Sequence, residues 1–431
     1  MLLVKALTAL AIVAVEKAAA TIFYAGVSES SGEFGVWSAT GTKGTGLPGR
    51  FGVDYSFIDK SAIDIFVDTN KINTFRIAFL LERMCPLSYG LGAKFNETHF
   101  DYYADAVHYI TKTKGAYAIL DPHNYMRYND PSSQPMSGSV IGNSSDVTAA
   151  TTKQFGEFWK ELASRFKHNE RVIFSIMNEV SIYVFNRGFG MLLTELNSHM
   201  IWKPVWYSLI TKQPWMESDH LGQSNCKDFI TPINNQNSHN CRILAPGNQW
   251  SGGHSFTQSW VGYSPSSAEA LVNLTDPLKN LAFDVHEYLD VDFSGSHSEC
   301  ASPADTNLAD LTSWLKANSF KAMITEFGAA NGTQCQPYLE GILEYMRDNP
   351  EYIGWTAWAA GPFWGANSAC CADSKQWGSL EPTSMAADRG PGMYETVFCD
   401  LGLGIMQKFV PKKLVWKGVS SVNGGNLTTR R

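Results

Sequence analysis

The chain has 431 residues, 44% of them hydrophobic and 13% aromatic, ample for the core of a single large domain. Its net charge of −7 gives no support to nucleic-acid binding, which favours basic patches. No stretch beyond the N-terminal segment reaches the roughly 18 consecutive apolar residues of a membrane-spanning helix, so no membrane partner is expected.

In chain order, residues 1–20 carry Lys5, an apolar run from Ala6 to Val15 and Ala18-Ala-Ala20, the layout of a secretory signal, from which Glu16 and Lys17 depart. Strand-like runs follow at Thr21–Val27, Ile72–Phe79, Ala116–Asp121, Arg171–Met177, Arg242–Ala245, Leu281–Val285, Ala322–Thr325 and Tyr352–Trp358. Helical patterns lie between them, at Ser61–Thr69, Thr98–Thr113, Thr151–Phe166, Leu308–Asn318 and Pro337–Arg347. Alternation of strand and helix predicts a parallel sheet. Eight strands favour a closed (β/α)8 TIM barrel over an open sheet. No glycine-rich loop follows a strand, so there is no nucleotide-binding motif. One catalytic domain is expected over 22–414, with a Gly/Asn/Ser-rich tail at 415–431 and no linker or repeat.

Sequons at Asn96, Asn143, Asn273, Asn331 and Asn426 add to the expectation of a secreted glycoprotein. Eight cysteines permit disulfides; none has zinc-ligand spacing, and Cys300 with Cys335 is the favoured pair. The tryptophans and tyrosines suit sugar binding, because a flat aromatic face stacks on a pyranose, although most are expected in the core.

The strand ends carry the functional argument. Arg76 lies on strand two, and Asp121-Pro-His123-Asn-Tyr ends strand three. Asn178-Glu179 ends strand four. Asp284-Val-His286-Glu-Tyr288 ends strand six, Glu326 ends strand seven and Trp358 ends strand eight. A lone Arg or His at a strand end is usually a structural hydrogen-bonder. Polar or aromatic groups at six strand ends of one barrel mouth are hard to explain by folding alone, since burying them costs stability. Two glutamates facing each other across such a mouth are the machinery of a retaining glycosidase.

These residues resemble glycoside hydrolase family 5, in particular the fungal secreted endo-β-1,4-glucanases. The resemblance runs from Phe23-Tyr-Ala-Gly-Val-Ser-Glu through Thr74-Phe-Arg-Ile-Ala-Phe79, Asp121-Pro-His-Asn-Tyr125 and Val172–Glu179. It resumes at Leu244-Ala-Pro-Gly-Asn-Gln-Trp250, Phe283-Asp-Val-His-Glu-Tyr-Leu289, Ile324-Thr-Glu326 and Gly354-Trp-Thr-Ala-Trp358. It implies that Glu179 is the acid/base and Glu326 the nucleophile, with Arg76, His123, Asn178, His286, Tyr288 and Trp358 binding substrate. Trp358 fits the aromatic floor better than Trp355. The acid is expected to have a raised pKa and the nucleophile to stay ionised, helped by Arg76 and Tyr288. No step requires a metal or organic cofactor. The implied partner is a β-glucan, cleaved inside the chain, and a monomer is expected.

One stretch departs from the family pattern. After Asn-Glu the family continues with Pro, whereas this chain has Val180, and 180–240 fits neither the family nor a barrel helix. A natural loop insertion is one reading. The preferred one is a retained intron over 180–203: Glu179-Val-Ser-Ile can be encoded with GTAAGT, Leu193-Thr194 with CTAAC, and Lys203 can end in AG before Pro204. Removing 180–203 would restore Asn-Glu-Pro. Two other functions stay open: the same pair acting on β-1,3-glucan, mannan or xyloglucan, and an inactive sugar-binding protein whose insert displaces Glu179.

Overall fold

The computed structural model describes residues 22–36, 46–129, 138–181, 242–259, 265–274, 280–329, 333–363 and 380–382. The signal-like segment, most of the 180–240 stretch and the C-terminal tail lie outside the described residues, as do Cys226, Cys241, Cys370, Cys371, Cys399, Asn331 and Asn426.

The strands are β1 (Tyr24–Glu29), β2 (Thr74–Phe79), β3 (Tyr117–Pro122), β6 (Val172–Ser175), β7 (Ile243–Pro246), β8 (Leu281–His286), β9 (Ala322–Glu326) and β10 (Tyr352–Ala360); a small hairpin pairs β4 (Arg127–Tyr128) with β5 (Ser139–Val140). The eight long strands close into a parallel barrel in the order β1-β10-β9-β8-β7-β6-β3-β2. Both faces of each strand are covered, which is why these segments read as continuous apolar runs. Gly26 is required by packing: a Cβ there would stand 1.6 Å from the Thr74 carbonyl oxygen of the neighbouring strand.

Helices α1 (Lys60–Asp64), α2 (Leu81–Met84), α3 (Glu97–His108), α4 (Thr152–Phe166), α5 (Ser267–Leu271), α6 (Ala304–Asn307), α7 (Ala309–Asn318) and α8 (Gln336–Asp348) lie around the barrel. Their starts are set by side chains that satisfy the free N–H groups of the first turn. Asp59 accepts from the Ser61 N–H and Asn96 from the His99 N–H, and Thr151 with Gln154 and Ser266 with Glu269 form reciprocal caps. Helices α1 and α3 run on into single π-helical turns, Ile65–Thr69 and Tyr109–Thr113, within the spans expected as helix. In α4, Phe155, Phe158, Trp159, Leu162 and Phe166 face the barrel.

Inside the barrel the strands change character along their length. At the N-terminal end Tyr24, Ile119, Ile173, Leu244, Ala282 and Met323 form an apolar plug. Two or four residues further along the same inward faces stand Ser28, Asp121, Ser175, Asp284 and Thr325, joined by Arg76 and Thr356. This second layer is hydrogen-bonded within itself. Ser175 Oγ donates to Asp284 Oδ2 (2.6 Å), Thr325 Oγ1 donates to Asp284 Oδ1, and Ser28 (3.2 Å) and Thr356 (2.6 Å) both donate to the Thr325 carbonyl. The mouth above it is where the strand-end residues gather. Most strand ends differ from the expectation by one to three residues, and one difference bears on the site: β6 stops at Ser175, so Asn178 and Glu179 sit on the loop after the strand. Backbone pairing to β7 covers only Phe174 and Ser175, and the chain then turns to reach Glu179 at φ +40°.

Candidate active site

Arg76 occupies the centre of the mouth and is fully buried. Its Nη1 donates to Glu326 Oε1 (2.6 Å), its Nη2 donates to Asn178 Oδ1 (2.5 Å), and Nη2 also lies 3.1 Å from Asp121 Oδ1. Tyr288 donates its hydroxyl to the other oxygen of Glu326, Oε2, at 2.8 Å. Both oxygens of Glu326 are therefore held. Glu179 is held differently. Its side chain is 17% exposed, and Oε1 meets His286 Nδ1 at 2.9 Å, while the same nitrogen lies 3.5 Å from Glu326 Oε2. One oxygen of Glu179 and one of Glu326 lie within 4.8 Å of each other.

His123 Nδ1 lies 2.9 Å from Asp121 Oδ2, and its Nε2 faces Asn178 Nδ2 at 3.1 Å. Burial pulls the ring's pKa down, but the Asp121 carboxylate outweighs it and lifts it to about 9. The amide argues the other way. Arg76 can only donate, so it claims Asn178 Oδ1; Nδ2 must then donate to a lone pair on Nε2. The contacts of Asn178 and Asp121 thus hold His123 neutral and protonated on Nδ1, against the electrostatic lift. His286 is pulled down by burial and lifted more by Glu326 and Glu179. Burial pushes the Glu326 carboxyl above its ordinary value and the Glu179 charge adds to this; His286, Arg76 and His123 hold it down. Against the expectation of a nucleophile kept ionised with help from Arg76, burial is the largest effect on Glu326 and acts the other way.

Trp358 is half-buried and stacks on His123, with centroids 5.3 Å apart and planes at 17°. Trp355 instead is fully buried and packs edge-on against Phe327. Every expected site residue is thus described; hydrogen bonds and ring stacking join Tyr288, Glu326, Arg76, Asn178, His123 and Trp358, and the 3.5 Å contact from His286 to Glu326 brings in the Glu179–His286 pair. The chain beyond Glu179 stays on the barrel as far as it is described: Val180 and Ser181 are buried, the Val180 carbonyl accepts from Trp250 N–H (3.3 Å), and Arg127 donates to the Ser181 carbonyl (3.3 Å). The reading in which the insert displaces Glu179 finds no support in this geometry.

Three residues named in the sequence reading are given no role of their own there. Asp121 and Asp284 stand two positions before His123 and His286, so each Asp-x-His puts carboxylate and imidazole on one strand face; the repeat of that spacing is the signal. Trp250, 39% exposed, stands on the loop after β7, in a run of left-handed residues Gln249-Trp250-Ser251. Two clusters bring potential metal-ligand atoms together, Glu179 with His286 and Glu326, and Asp290 with Asp292 and His297. The first is the carboxylate pair itself.

An eight-stranded parallel barrel with a buried and a partly buried carboxyl group facing each other at the C-terminal mouth defines a glycosidase-type site. The sequence model of the family "Cellulase (glycosyl hydrolase family 5)" matches residues 34–363. The chain is 58% identical to Endoglucanase 1 of Robillarda sp. (strain Y-20) over 96% of both chains. It is 31% identical to endo-beta-1,4-glucanase A of Emericella nidulans, over 83% of this chain and 88% of that one. The solved structure of XacCel5A in complex with cellopentaose superposes with a TM-score of 0.65 at 28% identity, covering 90% of this chain and 99% of that one. The chain belongs to the cellulases of glycosyl hydrolase family 5.

Proposed function

We propose that this glycoside hydrolase is an endo-β-1,4-glucanase that cleaves internal bonds of β-1,4-glucan with retention, using Glu326 as nucleophile and Glu179 as acid/base. Supporting the activity are family membership and the relatives that carry the endoglucanase name. Supporting the mechanism is the 4.8 Å limit on the separation of the two carboxyl oxygens. So close an approach suits the ~5–5.5 Å spacing of retaining enzymes better than the ~6.5–9.5 Å that leaves room for the water of an inverting one.

The two carboxyl groups are not equivalent, and the difference supports this assignment of roles. Glu326 has a cation on one oxygen and a hydroxyl donor on the other, an environment that favours its anion and fixes its direction of attack. Glu179 is partly open to solvent, so it can exchange a proton with water between the two steps. In the first step Glu326 bonds to the anomeric carbon while Glu179 protonates the departing glycosidic oxygen. In the second, Glu179 takes a proton from water, whose oxygen displaces Glu326. Asn178, oriented by Arg76, is placed to bind the 2-hydroxyl, and Trp358 to stack under a glucosyl ring. The double displacement is complete without a metal.

The deciding experiment compares Glu179→Gln with Glu326→Gln. Each loses several orders of magnitude on carboxymethyl cellulose. On an aryl cellobioside with a good leaving group, Glu179→Gln still accumulates the glycosyl-enzyme, and azide restores turnover with retained configuration; Glu326→Gln accumulates none. Azide rescue of Glu326→Gln with retention would reverse the roles. Carboxymethyl cellulose preferred over laminarin and mannan checks the substrate.

Secretion, glycosylation at the exposed Asn273 and a monomeric state complete the reading, supported by the signal-like leader and the Cys300–Cys335 disulfide, at home in an oxidising compartment. A retained intron at 180–203 is proposed on the codon pattern. Transcript reads that run in frame through those codons would refute it.

A further inference from the structure

We propose that Gly295 acts as a positioning residue for the reaction, its bare backbone forming a slot that aims the Tyr288 hydroxyl at Glu326. The inference rests on the reading of Glu326 as the nucleophile. A Cβ on Gly295 would lie 2.6 Å from Cδ1 and 2.8 Å from Cε1 of the Tyr288 ring, so only a bare backbone fits against that side. Gly328, two residues after Glu326, is tight only against the Trp358 carbonyl oxygen, 3.0 Å from a Cβ placed there, and meets the Tyr288 ring at an ordinary 3.6 Å. The constraint on the ring therefore comes from Gly295, on the loop after β8.

The Gly295 side is built to stay in place. Its φ of +68° is one that side chains resist. The loop around it closes on the buried Asp290, whose carboxylate accepts from the N–H groups of Gly295 (3.0 Å), Ser296 (3.0 Å) and His297 (3.2 Å), from Ser294 Oγ (3.2 Å), and meets His297 Nδ1 at 2.9 Å. Phe293 anchors the same loop by stacking on His254 at 3.7 Å, and His254 Nδ1 lies 3.2 Å from Glu287 Oε2. These contacts converge on a loop that touches no reacting group yet lies against the ring of one that does. A ring displaced from the slot lengthens the 2.8 Å bond to Glu326, and the carboxylate loses a donor that favours its charged form.

The test is a cycle of Gly295→Ala, Tyr288→Phe and the double variant, with Asp290→Asn as a second route that loosens the loop without inserting an atom. The readouts are kcat/KM on a soluble cello-oligosaccharide, the acidic limb of its pH profile and the melting temperature. Gly295→Ala is expected to lower kcat/KM roughly 10- to 100-fold and to move the acidic limb upward. Asp290→Asn should move the limb the same way by less. In the Tyr288→Phe background Gly295→Ala should move the limb no further, because both act through one hydroxyl. The proposal is overturned if Gly295→Ala lowers the melting temperature and leaves the limb in place, or if it shifts the limb equally with and without the hydroxyl. A Tyr288→Phe variant with an unmoved limb would overturn the inference and the reading of Glu326 together.

Discussion

Arg76 joins Glu326, Asn178 and Asp121 from a position without solvent access. Burial pulls its pKa down, but Asp121, Glu326 and Asp284 carry it upward, so it remains a fixed cation across the working pH range. Arg76→Ala removes a positive charge from beside a carboxyl that burial already raises. The acidic limb of the pH–rate profile should therefore move to higher pH, with a stability loss of about 3–5 kcal/mol from the carboxylates left behind. An Arg76 that only braces the barrel would show the loss and an unmoved limb. Trp358 makes the opposite prediction about stability. Its indole is partly exposed and lies on His123, so Trp358→Ala should melt near the parent and fail to bind cello-oligosaccharides in a titration. A deep fall in melting temperature with binding intact would make it a core residue, for which a loss of about 3–5 kcal/mol is usual.

The one-turn helix α2 shows what an element can do that its parts do not reveal. Glu82 turns toward the loop after β3, accepting from Asn124 Nδ2 (2.8 Å) and from the Asn129 N–H (3.1 Å), and Asn124 Oδ1 accepts in return from the Leu81 N–H (2.8 Å). Arg83 turns toward the loop after β1, donating to the carbonyls of Gly32 (2.7 Å), Pro48 (3.0 Å) and Phe34, with its guanidinium 3.9 Å from the Tyr55 ring centroid. Two consecutive residues thus tie the neighbouring loops of the mouth, one of which holds His123. Burial lifts Glu82 to about 7 from an ordinary 4.5. A raised carboxyl contributes stability that is fully present below pH 4.5 and is lost as pH rises through 7. The change is about 3 kcal/mol at most. The parent's melting temperature should fall over that interval, and Glu82→Gln should flatten the fall; parallel curves would show that Glu82 does not titrate there.

Little of this bracket is legible in the sequence, because its hydrogen bonds join residues 35 to 51 positions apart across loops without periodicity. The strands are legible because their apolar runs are long and both faces are buried. The exception is β6, where the run Val172–Met177 stays buried but pairing ends at Ser175 so that the chain can turn Glu179 into the mouth. The two glutamates proposed as catalytic, Arg76 and the histidines announce themselves as charge in apolar runs. The Asp284 network does not, since it needs Ser175 and Thr325, which lie far away in the chain and near in the barrel.

At the scale of the molecule, the Cys300–Cys335 bridge ties the segment after β8 to the segment after β9, closing 35 residues that include Glu326. Closure of a loop that long is worth about 3–4 kcal/mol. Reduction, or Cys335→Ser, should lower the melting temperature accordingly; an unchanged melt under dithiothreitol would show that packing alone holds the loops. Gln334 reinforces the bridge by accepting from the Cys300 N–H (2.9 Å) and donating to its carbonyl (2.6 Å). Cys85 should not compete in reshuffling, because burial pushes its thiol up to about 12.

The donors that converge on Glu326 also mean that the scaffold can be run in the bond-making direction. In Glu326→Gly, Arg76 Nη1 and the Tyr288 hydroxyl still point at the space the carboxylate leaves, and that space is a ready-made anion hole for a small leaving halide. Supplied with an α-cellobiosyl fluoride, whose configuration mimics the glycosyl-enzyme, the variant should release fluoride and pass the sugar to a second cello-oligosaccharide under deprotonation by Glu179. Having no nucleophile, it cannot then hydrolyse the product. Longer oligomers should accumulate in the mass spectrum, and adding Arg76→Ala should stop both their formation and the release of fluoride.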